Sequence, residues 1–330
     1  MGIIAVRPFR GGDMSEHIEY DSTLATVRRI GQSDLVVPPL ALGTAVFGWT
    51  LPPAQSHAML DRFLEFGGGL IDTAASYASG MSEHTIGSWM RERGARDNVL
   101  IATKVGRHAD APGLSARSIR EGVDASLVRL QTDRIDLLYL HAEDPETPLG
   151  DSLLAVDELM KAGKVRALAA SNFSLPALLE ARILSSSGLP RIEAVAWEYS
   201  LLRRDIVTAD ATALLADLEM SLMPFFVLAH GYLGQFRDVK ANPSTDDVRL
   251  RRAAAHVGRH SHAVLKVLDG IALSHGVDIS AIALAWAISR HDVACASIGP
   301  ESIAQLDGLM AARHINLSRH DLAELERVSL

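Results

Sequence analysis

The chain has 330 residues, 48% hydrophobic and 22% charged, enough apolar material for a sizeable core. Its formal net charge of -8 gives no long-range attraction for nucleic acid or anionic lipid, and its single cysteine, Cys295, excludes an intrachain disulfide and a cysteine-based metal cluster. No stretch reaches the roughly 18 uninterrupted apolar residues of a membrane span, and Met1 to Arg10 lacks a signal-peptide core, so a cytoplasmic protein without membrane or nucleic-acid partners is expected.

In chain order, residues 1–27 are polar, lack a clear period and are expected to decorate the fold as an N-terminal extension. Strand-like runs follow at residues 39–43, 70–72, 99–102, 135–140, 165–170, 192–196, 221–226 and 293–298. Helical patterns lie between them. Ile119, Val123, Leu127 and Leu130 share one face, Pro176 follows Ser174 at a helix start, and Ser318 with Asp321 resembles a capping box. Strand then helix, repeated eight times from residue 40 to 312, predicts an α/β fold: a (β/α)8 TIM barrel of parallel strands, one domain spanning residues 28–330. The interval from Gly231 to His262 is overlong and charged, and reads either as a solvated loop or as a lid over a ligand. His256, His260 and His262 fall within it and read as solvated surface, so no metal site is expected.

Asp72, Lys104 and His141 end the second, third and fourth strands, and Tyr77 follows in the loop after the second. In a barrel of this kind the chemistry gathers at the C-terminal ends of the strands. Adjacent strands lie about 4.8 Å apart, so side chains from three consecutive ends can meet around one small ligand. Taken singly, the Asp is a turn residue, the Lys is solvated and the His makes a structural hydrogen bond. Taken together, a phenol near an ammonium, a carboxylate and an imidazole can move one proton while something else moves a hydride.

Arg28-Arg29-Ile30-Gly31, Leu40-Ala41-Leu42-Gly43-Thr44, Asp72-Thr73-Ala74 with Tyr77, Gly80-Met81-Ser82-Glu83, Ala102-Thr103-Lys104, Ile135 to His141, Ala162 to Arg166, Ser171-Asn172-Phe173 and Glu198 to Leu202 occur in the order of the motifs of one family. From about residue 28 to its end the chain resembles an aldo-keto reductase. The resemblance implies a (β/α)8 barrel that binds a nicotinamide dinucleotide without a Gly-rich fingerprint, and no G-x-G-x-x-G follows a strand here. It implies Tyr77 as general acid or base, Lys104 lowering the phenol's proton affinity, Asp72 fixing Lys104, and His141 donating to the carbonyl oxygen.

The resemblance also assigns Ser171 and Asn172 to the nicotinamide carboxamide, Phe225 to stacking on its ring, and Gly43, Thr44, Leu228, Gly299, Glu301 and Gln305 to the rest of the dinucleotide. Three positions depart from the family pattern. Ala196 stands where Gln is usual, Phe226 replaces a small polar residue, and Glu301 replaces a cation that pairs with the 2′-phosphate of NADP. Glu301 therefore leans toward NAD over the family's usual NADP, with Arg237 or Lys240 as alternative sources of positive charge. For the substrate, Phe47 and Trp49 are expected to wall the pocket and Glu143 and Asp144 to make its mouth acidic, suiting a polar or cationic hydroxylated compound. Trp197 reads as wall or as packing. The expected function is hydride transfer between nicotinamide and an aldehyde, ketone, sugar or other small carbonyl or alcohol. The alternative is a cofactor-binding barrel with a sensing role.

Overall fold

The computed structural model describes residues 27–329, so the expected extension at residues 1–27 lies outside the described residues except for Val27. Eight parallel strands form one sheet: β1 (Leu40–Gly43), β2 (Leu70–Asp72), β3 (Leu100–Val105), β4 (Ile135–Leu140), β5 (Val165–Ser171), β6 (Ile192–Ala196), β7 (Ser221–Leu222) and β8 (Ala296–Ile298). β1 to β6 each pair with the next in sequence, and β8 pairs with β1. The barrel closes between β7 and the approach to β8: Leu222 N–H donates to Asp292 O at 2.8 Å, Ala294 N–H to Leu222 O at 3.0 Å, and Ser297 N–H to Pro224 O at 2.9 Å.

The seventh strand is shorter than the run 221–226 predicts. Pro224 has no N–H for a ladder, and Phe226 adopts a left-handed φ of 51° that turns the chain out of the sheet. Helices α1 (Pro53–Glu65), α2 (Met81–Arg93), α3 (Ala116–Leu130), α4 (Leu149–Lys161), α5 (Leu175–Ser185) and α6 (Ala209–Asp217) follow the first six strands. After β7 come α7 (Val248–Ala254), α8 (Arg259–His275) and α9 (Ile279–Ile288), and after β8 come α10 (Ile303–Met310) and α11 (Arg319–Ser329). The capping expectations hold: Ser174 Oγ accepts from Ala177 N–H at 3.4 Å, and Ser318 and Asp321 exchange bonds of 2.9 and 3.1 Å. Among the described residues no single helix is long and apolar enough to cross a membrane. The apolar run of α9 is buried along its whole length.

Strand alternation divides the core in two. Ile101, Val105, Leu138, Leu140 and Leu168 face the helices and join the larger apolar cluster. Ala102, Leu137, Tyr139, Ala167, Ala169, Ala194 and Cys295 face the barrel axis. Small residues dominate that inner set, as a narrow barrel requires. An antiparallel pair, Arg28–Arg29 with Val36–Val37, seats Ile30, Leu35 and Val37 against the inner set. Its turn is tied to the strand starts by Gly31 N–H to Ser221 Oγ at 2.9 Å and Gln32 N–H to Glu193 Oε2 at 2.7 Å. Cys295 is buried, and burial pushes its thiol well above the usual range, so the lone cysteine is inert packing.

Glu83 on α2 is fully buried between sheet and helix, where Oε1 accepts the Thr103 hydroxyl at 2.6 Å and Oε2 accepts Arg129 Nε at 2.7 Å. This pairing fixes α2, and with it the loop carrying Tyr77, against β3 and α3. Glu83→Gln keeps the shape but removes the charge that faces Arg129, so a loss of about 2 kcal/mol is expected. Urea unfolding reads it; an unchanged midpoint would mean that the pair contributes nothing.

Candidate active site

The same alternation that turns Ala102 and Tyr139 inward brings the last inward position of each strand to the C-terminal mouth. Those positions carry Asp72 on β2, Lys104 on β3, His141 just past β4, Ser171 on β5 and Ser297 on β8. Asp72, Lys104 and His141 are 8%, 4% and 8% exposed, so this is a recessed polar floor rather than a solvated rim. Tyr77 is half-buried at the start of a one-turn 3-10 segment after β2, and its ring meets the His141 ring edge-on at 6.4 Å and 82°.

Lys104 has three N–H donors, and two of them have acceptors among the described residues. These two go to Asp72 Oδ1 and to Thr73 O, the latter at 2.9 Å, and the ammonium lies 5.2 Å from the Tyr77 ring centroid. Burial alone would push the ammonium down, but Asp72 and Tyr77 outweigh it and Lys104 sits above the ordinary lysine value. The second carboxylate oxygen of Asp72 accepts the Ser297 hydroxyl at 2.9 Å. Sequence reasoning missed Ser297; its signal was parity, two residues after inward-facing Cys295.

Tyr77 departs from expectation. Burial raises the phenol above its usual value; Lys104 and Arg107 pull it back, and Asp72 adds to the rise, with a net direction upward. The sequence predicts a lowered phenol because it shows the nearby charge and not the desolvation. His141 is pushed down to about 3, first by burial and then by Lys104 and Arg107, so its imidazole is neutral at physiological pH. Its buried Nδ1 has no hydrogen-bond partner among the described residues.

Beside this floor, Asn172 adopts a left-handed φ of 58°, and its Nδ2 donates to His141 O at 3.1 Å and to Ser171 Oγ at 3.0 Å. This orients the amide and leaves Oδ1 as an acceptor next to the Ser171 hydroxyl, a donor and acceptor set that fits a carboxamide. Phe225 is half-buried against the inner cluster at the end of the seventh strand segment, with Phe226 edge-on at 5.2 Å. Gly43 lies where β1 and β8 approach closely: a Cβ there would come within 2.7 Å of Ser297 Oγ. Leu228 is half-buried after β7, and Gly299 follows β8 in the open, with only Gly43 O within 4 Å of an added Cβ, at 3.9 Å.

Several expected contacts are not available. Thr44 is fully buried, with its hydroxyl donating to Asp72 O at 3.1 Å and accepting from Ser82 at 2.9 Å, so it braces the floor from below. Phe47 is fully buried in the outer core and forms no pocket wall, whereas Trp49 is 59% exposed. Trp197 is packing: it is buried and its Nε1 donates to Phe173 O at 2.8 Å. The two acidic residues expected at the mouth serve the loops around it. The Glu143 carboxylate accepts the Ser174 amide, and Asp144 takes the Leu114 amide at 2.7 Å and the Thr147 hydroxyl at 2.8 Å.

The adenosine-side expectations change as well. Glu301 is paired with Arg249 of α7, whose guanidinium also lies 5.8 Å from the Trp49 ring centroid. Arg237 is held elsewhere by two 2.8 Å bonds to Asp269. Gln305 accepts from Glu301 N–H at 2.7 Å and donates to Gln235. His256 is not solvated surface: it is half-buried and stacks at 5.8 Å on His230, which itself lies 3.5 Å from Glu198. The long interval therefore folds onto the mouth. Among the described residues no group of His, Cys, Asp and Glu could hold a metal ion.

Comparison with known proteins gives an independent result. The sequence matches the family model described as the aldo/keto reductase family over residues 39–329. It is 29% identical to norsolorinic acid reductase B of Aspergillus parasiticus over 88% of this chain and 80% of the relative. It is 30% identical to protein tas of Escherichia coli, covering 91% and 96%, and 31% identical to the uncharacterized oxidoreductase YrpG of Bacillus subtilis, covering 91% and 94%.

Proposed function

Since the chain belongs to the aldo/keto reductase family and is a nicotinamide-dependent oxidoreductase, we infer that it reduces small aldehydes or ketones with Tyr77 as the proton donor. One observation carries this reading: Tyr77, the Lys104 ammonium held by Asp72 and the Thr73 carbonyl, and the neutral His141 imidazole gather at one recessed mouth.

Bound nicotinamide supplies or accepts the hydride. The residues handle everything else. Asp72 and the Thr73 carbonyl hold the ammonium beside the Tyr77 ring, with a third donor left to face the phenol oxygen as its proton passes to a carbonyl oxygen. Burial keeps that proton on the phenol through neutral pH, which suits donation in reduction better than abstraction in alcohol oxidation. His141, uncharged, donates a hydrogen bond that orients the carbonyl without competing as an acid. Ser171 and Asn172 take the carboxamide and Phe225 packs on the ring face.

For the dinucleotide, Arg249 alters the expectation built on Glu301. Arg249 lies between Glu301 and Asp247, 3.5 Å from the latter, and its remaining donors stand where an isolated Glu301 carboxylate would repel a 2′-phosphate. NADPH is therefore the expected partner. Fluorescence titration of the protein with NADPH and NADH tests the function and the preference together: failure to bind either removes the enzyme reading, and tighter NADH binding removes the role given to Arg249. Arg249→Ala is expected to weaken NADPH by about tenfold or more, the worth of a charge-assisted hydrogen bond, with little change for NADH.

A further inference from the structure

At the end of β3 the chain passes through Gly106, at a φ of 103°, into a two-residue antiparallel pair, Arg107–His108 with Ala111–Pro112. Neighbouring side chains on such a ribbon face opposite sides. His108 points outward, lining a cavity of about 190 Å³ with Ala111, Gly122, Ala125 and Arg129. Arg107 therefore faces the other way, toward the barrel mouth, three residues beyond Lys104. Its charge reaches both Tyr77 and His141.

Arg107 is exposed and forms no ion pair or side-chain hydrogen bond among the described residues. This is unlike its neighbours on α3, where Arg117, Arg120 and Arg129 each have a carboxylate. None of the carboxylates near it in the fold forms an ion pair with it. Asp110 faces His108 at 3.6 Å, Asp144 is held by Leu114 and Thr147, and Glu143 caps Ser174. In a chain with net charge -8, a guanidinium left without a carboxylate beside the reacting groups is a vacancy for an oxyanion from outside.

We propose that Arg107 is the substrate-selecting residue of this site, and that it receives a carboxylate carried by the carbonyl substrate. The preferred substrates are then oxo acids or formyl acids, with the reacting carbonyl at Tyr77 and His141 and the carboxylate paired in a fork with the guanidinium. This rests on the reductase reading above, and deepens it from carbonyl compounds in general to anionic ones.

The test compares 3- and 4-carboxybenzaldehyde with their methyl esters, which keep ring and aldehyde but lose the charge, in the parent and in Arg107→Gln and Arg107→Lys. The parent is expected to favour an acid over its ester by about tenfold or more in kcat/KM, the worth of one charge-assisted pair, carried mainly by KM. Arg107→Gln abolishes the preference by lowering the acid far more than the ester, and Arg107→Lys restores part of it. Equal use of acid and ester by the parent, or an equal fall for both in Arg107→Gln, overturns the proposal. Calorimetric binding of benzoate against benzamide gives a readout independent of turnover. Discrimination that survives in Arg107→Gln overturns the proposal even if no aldehyde is reduced, whereas discrimination lost in Arg107→Gln without reduction by the parent upholds the anion site and removes only the reductase reading.

Discussion

Tyr77→Phe is expected to lower turnover by about 10²- to 10⁴-fold, the usual worth of a positioned general acid. The substitution removes one oxygen and leaves the ring that packs edge-on against His141, so folding and dinucleotide binding are expected to be unchanged. The loss should fall on kcat and kcat/KM alike, because the proton is needed only as the carbonyl oxygen gains charge. The pH profile adds a second check. With the phenol above its usual value and His141 held near 3, reduction by the parent should be flat through neutral pH, with no limb near the ordinary histidine value of about 6.5. Unchanged turnover in Tyr77→Phe would remove Tyr77 from the chemistry, whereas dinucleotide binding without turnover by the parent would favour a barrel that binds its cofactor for sensing.

Lys104→Met tests the support beneath the phenol, and its effect reaches stability as well as chemistry. Asp72 is then left buried, with Ser297 as its one remaining side-chain donor among the described residues. An uncompensated buried carboxylate of this kind costs about 3–5 kcal/mol, a large share of the total stability of a domain. Asp72→Asn together with Lys104→Met removes both charges and should recover much of that loss without recovering activity. For any residual alcohol oxidation, removing the ammonium raises the phenol further, so the rise of rate with pH should move to higher pH. Equal stability of the single and double variants in chemical denaturation would contradict the pairing.

The barrel was legible because its determinants are local: a two-residue period in the strands, a helical face between them, and caps such as Ser174 and Ser318 at helix starts. Asp72, Lys104 and His141 could be found for the same reason, since each ends an apolar run. What escaped depends on contacts distant in sequence. Ser297 looks like an ordinary small residue in an apolar strand until its neighbour across β1 is known. Arg249 looks like one member of a surface cluster with Arg251 and Arg252, yet α7 carries it to Glu301. Phe47 and Trp49 are two residues apart and of one chemical type, and only the packing of the loop after β1 separates a core residue from an exposed one. The raised phenol was hidden in another way, because desolvation is a property of the whole mouth.

The closure of the barrel is its thinnest ladder, since β7 has two residues and β8 three. The Ser297 hydroxyl reaches from β8 across β1 to the Asp72 carboxylate on β2, so a group of the site also acts as a stitch beside that seam. Local opening of a protein follows its weakest cooperative unit. Here that unit includes Ser297, so a fluctuation that parts β8 from its neighbours also frees one oxygen of the carboxylate that anchors Lys104. The carboxylate beneath the ammonium is thereby tied to the seam as well as to the long, well-paired strands β3, β4 and β5, and an opening of the seam loosens its orientation before the rest of the barrel yields.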